Sequence, residues 1–357
     1  MTGSSVVESL RDAAMARAAI LGLPTTAAED WRYVNVRPLQ TTSEDLDAHP
    51  LRIDTDTSVL NGAFVVSGPF SALSDEQARF DGERLAQEQE APACWSWTGE
   101  RRYLRIDGQR SLNLVHQATS GITGWRLLLD LAPGADVHLV LTHLIWGNAR
   151  ASVGLVVKLG QSARLRVSEV MLQTCQLFVQ VDASVGRDAT ITWTSASRGG
   201  DLLRWRGVID LVATGAHADI AAVDQVTGHD QAHRHLRVRH RVGPTTSTQL
   251  FKTVLNDHAI ASFDGLVDVA KGADGANAAQ LSRTLLLSPT ARGDTRPQLD
   301  IHADEVKAGH GATIGQLDTD ELLYLRMRGL APEQARSLLI DGFVREVTAR
   351  LPETMRP

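Results

Sequence analysis

The densest group of side chains with potential chemistry lies between residues 229 and 240, where four of twelve residues are histidines. Two of them, His233 and His235, have the HxH spacing of two metal ligands in a cupin-like site. Such a site also needs a glutamate and a further histidine, and the next glutamate downstream is Glu305. The cluster therefore predicts either a metal-dependent, cupin-like enzyme or, as the alternative, a polar outer face or an interface.

A second candidate is His310, which lies between Gly309 and Gly311. Flanking glycines give an imidazole little cover, so it can approach a ligand or another backbone. A neutral imidazole is a good ligand for iron. The alternative is an ordinary structural histidine.

Other patterns point to, or away from, enzymatic chemistry. Asp264, Asp268 and Asp274 could supply the clustered carboxylates of a β-helix enzyme that acts on polysaccharides, but they straddle a turn and lack an aromatic platform. The sequence contains no GxxxxGK[ST] motif, so we expect no ATP bound by this chain through a P-loop. It also contains neither GxSxG nor HExxH.

Composition divides the chain into three predicted regions that must position these residues. Residues 1–56 form an N-terminal helical region, whose helix begins near Ser4 and ends at Leu21. Residues 57–315 form a β-rich core with a helical interruption near 73–90. Residues 316–357 form a C-terminal helical region, in which Asp318 caps one helix and Pro332 begins another.

A repeat within the core indicates how its strands stack. Glycine is followed by a small apolar residue at +3 and by Leu or Ile at +5, starting at Gly134, Gly160, Gly186 and Gly215. These glycines are 26, 26 and 29 residues apart, which is typical of stacked supersecondary units. The period favours a β-helix or another β-solenoid, and it leaves a β-sandwich of evenly spaced hairpins as the alternative.

Bulk properties argue against several classes of protein. A formal net charge of -6 gives no counterion release on DNA, so we expect no nucleic-acid binding. We also expect no membrane span and no signal peptide, because the sequence has no run of about 18 apolar residues and its N-terminus lacks a basic region before an apolar one. Cys94 and Cys175 are isolated thiols, which fits a reducing cytoplasm and makes them poor ligands.

Several segments resemble the SufB/SufD family of iron–sulfur cluster assembly scaffold proteins, in its SufD-type form. The strongest are RPQLDIHADEVKAGHGATIGQLDTDELLYLRMRG at 296–329 and ARSLLIDGFVREVTARLP at 335–352. The segment SFDGLVDVAKGADGANAAQLSRTLLLSPTA at 262–291 is similar to the preceding coil of that family, and residues 29–33 are similar to its opening. The resemblance covers both ends of the chain and is strongest over residues 225–350.

This resemblance implies a right-handed parallel β-helix (a β-solenoid) flanked by N-terminal and C-terminal α-helical regions. It implies a non-catalytic scaffold that pairs with a SufB-like subunit and docks a SufC-like ATPase, in which the ATPase activity resides. The C-terminal helices would carry the docking surface. The candidate docking residues are Leu322, Tyr324, Leu325, Arg328, Leu338 and Phe343.

The resemblance also assigns a role to His310, as a ligand for iron or for a transient iron–sulfur cluster. Many SufD relatives have a cysteine where this chain has Ala308, so no thiolate can come from that position here. A chain without its partner could instead form a homodimer, because edge strands remain open until they are paired.

Overall fold

The computed structural model describes residues 3–40, 52–54, 65–69, 84–86, 88, 90–97 and 100–356. Within these residues two sheets wind into a β-solenoid of about eight turns, with helices toward both ends of the chain. The helices are α1 (Gly3–Leu21), α2 (Ala91–Cys94), α3 (Thr319–Met327) and α4 (Pro332–Thr348). The strands are β1 (Arg52–Asp54), β2 (Val65–Pro69), β3 (Glu100–Ile106), β4 (Gln109–Ala118), β5 (Ile122–Leu131), β6 (Asp136–Ile145), β7 (Arg150–Leu159), β8 (Arg164–Gln173), β9 (Gln176–Val185), β10 (Thr190–Arg198), β11 (Leu202–Leu211), β12 (His217–Val226), β13 (Gln231–His240), β14 (Thr246–Leu255), β15 (Ile260–Val269), β16 (Asn277–Leu286), β17 (Arg292–Ile301) and β18 (Lys307–Gln316).

Each coil contributes one strand to each sheet. The first sheet has the order β1-β4-β6-β8-β10-β12-β14-β16-β18, and the second runs from β17 through the odd-numbered strands to β3 and β2. From β3 onward, each strand pairs in parallel with the strand two places later in the chain. The predicted β-helix is therefore confirmed, and the alternative of a sandwich built from antiparallel hairpins is wrong.

Alternation along the strands produces the core. In β6, Val137, Leu139, Leu141, His143 and Ile145 are buried, while the residues that alternate with them are partly exposed. Because successive side chains of a strand point to opposite faces, one apolar set fills the interior of the solenoid. Successive coils stack these sets into one continuous hydrophobic core.

The repeat in the sequence is present, but its register differs from the predicted one. Asp136 pairs with Arg164, so Gly134 lies level with Ser162 and not with Gly160. Both residues have positive φ, at 76° and 57°. The recurrent feature of these turns is therefore a left-handed residue two positions before the strand, which serine can occupy as well as glycine.

A polar network lies inside this apolar core. The Glu169 side chain is 0% exposed and accepts hydrogen bonds from the indole N–H groups of Trp193 (2.9 Å) and Trp205 (3.2 Å). Its other carboxylate oxygen lies 3.2 Å from Nε2 of His143. The network satisfies a buried carboxylate that would otherwise be costly to place in the core.

An N-terminal segment covers the outer face of the second sheet. Arg204 of β11 forms two hydrogen bonds to Glu90, with Nη2–Oε1 at 2.7 Å and Nε–Oε2 at 2.9 Å. The same guanidinium lies 4.3 Å from the ring centroid of Trp31. Glu88 accepts from Arg206 at 3.0 Å and from Gln180 at 2.7 Å. These contacts attach the N-terminal segment to the sheet at Trp31, Glu88 and Glu90.

The end helices agree with the sequence-based expectations where they are described. The predicted first helix is present as α1, and α4 begins at Pro332. The side chain of Asp318 caps α3 by accepting from the backbone N–H groups of Asp320 and Glu321. Of the predicted interruption at 73–90, most residues lie outside the described part, and residues 84–86 are helical. None of the helices in the described ranges is long and apolar enough to cross a bilayer.

The two ends of the solenoid differ. At the N-terminal end, β1 and β2 pair antiparallel with β4 and β3 and so cover the first coil. At the other end, β17 and β18 are the outermost strands of their sheets, and none of the described residues adds a further strand. The interior of the last coil is therefore open at this end.

Candidate functional site

His310 lies on this open end. It is the fourth residue of the outermost strand β18 and pairs with Gln280 of β16, which in turn pairs with Gln249 of β14. Both glutamines are buried, whereas His310 is exposed because no coil lies above it. The predicted ligand is thus accessible from outside while its side chain stands at an interior position of the solenoid.

The open end also carries exposed apolar side chains. Ile301 of β17 and Ile314 of β18 are exposed, the latter by 43%. Ala308 packs against the small interior cluster that contains Val267 and Val269. An edge strand with free backbone N–H and C=O groups beside exposed apolar side chains is suited to pairing with another chain.

The last helix, α4, packs on the outer face of the first sheet. Val344 and Val347 of α4 are buried against Val223, Leu250 and neighbouring residues of β12 and β14. Lys252 of β14 donates to the backbone oxygen of Phe343 at 2.7 Å, and its ammonium lies 2.7 Å from a carboxylate oxygen of Glu346. These contacts hold α4 on the solenoid, whereas α3 has no buried residue.

The predicted docking residues divide into two groups. Tyr324, Arg328 and Leu338 are exposed, with Leu338 50% exposed, and the Arg328 guanidinium lies 5.2 Å from the centre of the Tyr324 ring. The remaining three, Leu322, Leu325 and Phe343, are half-buried. Two exposed apolar residues that the prediction missed, Leu323 and Met327, extend the same surface. Both lie on the solvent-facing side of α3, and this placement is what could have identified them as docking residues.

A groove of about 490 Å³ separates the open edge from the helices. Leu285 and Ile314 line it on the strand side, and Leu338 and Phe343 line it on the helix side. The groove thus lies between the second half of β18, which follows His310 in the chain, and the C-terminal helices.

The histidine pair His233 and His235 does not form the predicted metal site. Nδ1 of His233 lies 2.7 Å from the hydroxyl of Ser262, and its Nε2 lies 3.3 Å from Oε1 of Gln231. Burial, with a contribution from the nearby Arg204, lowers the pKa of His233 to about 3. No group of three or more His, Cys, Asp or Glu residues among those described could hold a metal ion. The pair is part of the packing beneath the N-terminal segment.

The three aspartates are likewise not arranged as a catalytic group. Asp264 is bound by the guanidinium of Arg296. Asp268 lies 3.9 Å from Arg241. Asp274 accepts from the backbone N–H groups that follow Ala303, at 3.3 Å. Each carboxylate has its own partner, so this part of the solenoid lacks the paired free carboxylates of a glycosidase.

Both cysteines are buried. Burial, together with the charge of Glu88, raises the pKa of Cys94 to about 12. Burial raises the pKa of Cys175 to about 11. Because the thiolate is the metal-binding form, the expectation that they are poor ligands is consistent with their surroundings.

Comparisons with known proteins match most of the solenoid to one protein family. Residues 114–343 match the family described as SUF system FeS cluster assembly, SufBD core domain. The chain is 26% identical to the iron–sulfur cluster assembly protein SufD of Escherichia coli, over 92% of this chain and 86% of that protein. It is 35% identical to the Bacillus subtilis protein of the same name, over 62% of this chain and 48% of that protein. A SufBD family protein of Synechocystis is 47% identical over 34% of this chain and 26% of its own length.

Proposed function

Because the chain belongs to the SUF-system FeS cluster assembly proteins with a SufBD core domain, we propose that it is a SufD-like scaffold subunit. It pairs with a SufB-like subunit through the open end of the solenoid and docks a SufC-like ATPase through its C-terminal helices. The position of His310 on the outermost strand carries this proposal. Iron or a nascent cluster is the cargo of the complex and is bound only transiently.

The chemistry of His310 explains why a second chain is needed. One imidazole cannot hold iron or a cluster by itself, and the described residues offer no other group of ligands beside it. A SufB-like partner that pairs with β18 would bring its own ligands, such as a thiolate, to the same place. Hydrogen bonds around such a mixed set of imidazole and thiolate ligands can tune how tightly it binds the cluster. This suits a scaffold that must release its product.

The C-terminal surface supports the second half of the proposal. Tyr324, Met327 and Leu338 are large, exposed and close together in the chain on two adjoining helices. Clustered exposed apolar residues mark protein-binding sites. The partner would supply ATP hydrolysis, since this chain has no P-loop motif. Movement of the helices would then be transmitted to the open edge across the groove lined by Ile314 and Phe343. A non-catalytic role and a cytoplasmic location remain predictions.

Co-expression with SufB-like and SufC-like chains tests both contacts. We expect a ternary complex on size-exclusion chromatography, and slower amide exchange of residues 307–316 when the SufB-like chain is present. The Leu338→Asp variant should lose the ATPase but keep the SufB-like subunit. The matched Ser337→Asp variant, at the neighbouring exposed position, should keep both. A chain that remains alone with every partner offered would refute the scaffold proposal.

A homodimer is the second candidate state, because the same open edge could pair with a second copy. It predicts protection of residues 307–316 in the isolated chain as its concentration rises. Addition of the SufB-like chain should then replace the second copy, since both would use β18.

A further inference from the structure

Gln249, Gln280 and His310 form one column inside the last coils. They occupy matched positions on β14, β16 and β18, and paired residues of parallel strands point to the same face. Gln280 is 2% exposed, so this face is the interior of the solenoid. His310 is therefore the outermost member of a column whose inner members carry carboxamides.

The carboxamides are connected in a defined direction. Nε2 of Gln280 donates to Oε1 of Gln249 at 2.7 Å. Two polar atoms of the pair, Nε2 of Gln249 and Oε1 of Gln280, are buried and have no hydrogen-bond partner within the described ranges; of these, Oε1 belongs to the outer glutamine. A buried acceptor without a partner costs about 1–3 kcal/mol. The next member of the column outward is His310, whose ring N–H can supply the missing donor.

The opposite wall holds the Gln280 carboxamide in this place. A Cβ atom added at Gly265 of β15 would lie 2.3 Å from Nε2 of Gln280. That distance is far shorter than a van der Waals contact. Only a glycine at residue 265 therefore allows the carboxamide to lie directly against the backbone of β15. Gln280 therefore has little freedom to turn its oxygen away from the column.

We propose that Gln280 is a positioning residue for His310. The structure shows no bond between Oε1 and the His310 ring, so the proposal is that the exposed ring turns toward the column and donates one N–H to Oε1. The other ring nitrogen is then left unprotonated and directed out of the open end. The inference rests on the proposed role of His310 as a ligand. A hydrogen bond to the second nitrogen fixes the tautomer of a metal-binding histidine, and loss of such a partner typically lowers metal affinity or activity about 10–100-fold.

Three substitutions separate this role from packing. Gln280→Met keeps the length of the side chain but removes the acceptor, whereas Gln280→Glu retains an acceptor oxygen. Thr284→Val is the matched control, because Thr284 is also a buried interior residue of β16 but pairs with Ile314 and not with His310. Thermal midpoints establish that each variant is folded.

The first readout is the pair of ring ¹⁵N shifts of His310 in the full-length chain labelled at histidine, assigned with His310→Ala. We expect one protonated and one unprotonated nitrogen in the wild type, in Gln280→Glu and in Thr284→Val. Gln280→Met should show averaged shifts of two tautomers. The second readout is the iron retained by the complex with the SufB-like chain, which should fall about 10-fold or more in Gln280→Met only.

Averaged shifts in the wild-type chain, or unchanged shifts in Gln280→Met, would overturn the positioning role. This result is distinct from failure of the proposed function. If His310→Ala retains normal iron, His310 is not a ligand, whatever the ring shifts show about its contact with Gln280.

Discussion

The ion pair between Glu90 and Arg204 should control how firmly the N-terminal segment is attached. Both side chains are less than a tenth exposed. Burial alone would raise the pKa of Glu90, but the charge and hydrogen bonds of Arg204, with help from Arg206, outweigh it and lower the pKa from 4.5 to about 2. At 1.36 kcal/mol per pKa unit, the difference corresponds to about 3 kcal/mol in favour of the attached state.

The sign of the pH dependence follows from the lowered pKa. The contribution is fully present above about pH 4.5, the pKa in a detached segment, and is lost as pH falls toward the attached-state value of about 2. The pKa difference is about 2.5 units, so we expect Glu90→Gln to increase opening of the segment about 300-fold at pH 7. At pH 3, which is about one unit above the lowered pKa, only about 10-fold should remain.

Hydrogen–deuterium exchange of peptides that cover residues 29–40 and 90–97 measures this opening. Wild type and variant are compared at the same pH, because intrinsic exchange rates change with pH. Glu333→Gln, at an exposed position of α4, is the matched control and should leave exchange unchanged. Equal exchange of Glu90→Gln and wild type at pH 7, or a difference that is the same at pH 3 and pH 7, would refute the reasoning.

Three further predictions concern other contacts. Glu169→Leu leaves two buried indole N–H groups without an acceptor and should lower the free energy of unfolding by about 2–6 kcal/mol. Urea titrations should show a clearly larger loss than for Glu169→Gln, and equal losses would contradict this. Gly265→Ala forces a Cβ against Gln280 and should cost about 1–3 kcal/mol by the same assay, so an unchanged midpoint would count against the observed packing. Asp318→Ala removes the cap of α3 and should cost about 1 kcal/mol, seen as faster amide exchange in α3 alone.

The fold could be predicted where local signals determine it. The glycine-marked period indicated stacked coils, and Asp318 and Pro332 marked the starts of the last two helices through capping and fixed φ. The register could not be predicted in this way. Ser162 takes the left-handed conformation that Gly134 takes one coil earlier, so counting glycines placed the repeat two residues out of register.

The candidate site was less accessible to sequence reasoning. His310 was selected by family resemblance, because nothing in its spacing reveals that β18 is the outermost strand. Gln280 lay within a segment noted for its resemblance but had no predicted role, since its partner depends on strand pairing. The density of histidines around His233 gave a misleading signal, because alternation and burial turn those rings toward packing contacts.

Contacts between distant segments lay outside any local pattern. Glu90 and Arg204 are 114 residues apart, and Glu169 reaches Trp205 across 36 residues. Each of these pairs exists because the solenoid winds one segment over another. Sequence periodicity predicts such winding but not which charged residue meets which.

The most direct test of the central claim is the iron and sulfide content of the complex with SufB-like and SufC-like chains, purified without oxygen. Wild type and His310→Ala are compared at equal yield of complex. A scaffold whose open end supplies an imidazole predicts that the variant assembles normally but carries much less iron and sulfide. A variant complex with the full wild-type content of both would contradict the claim that His310 holds the cargo.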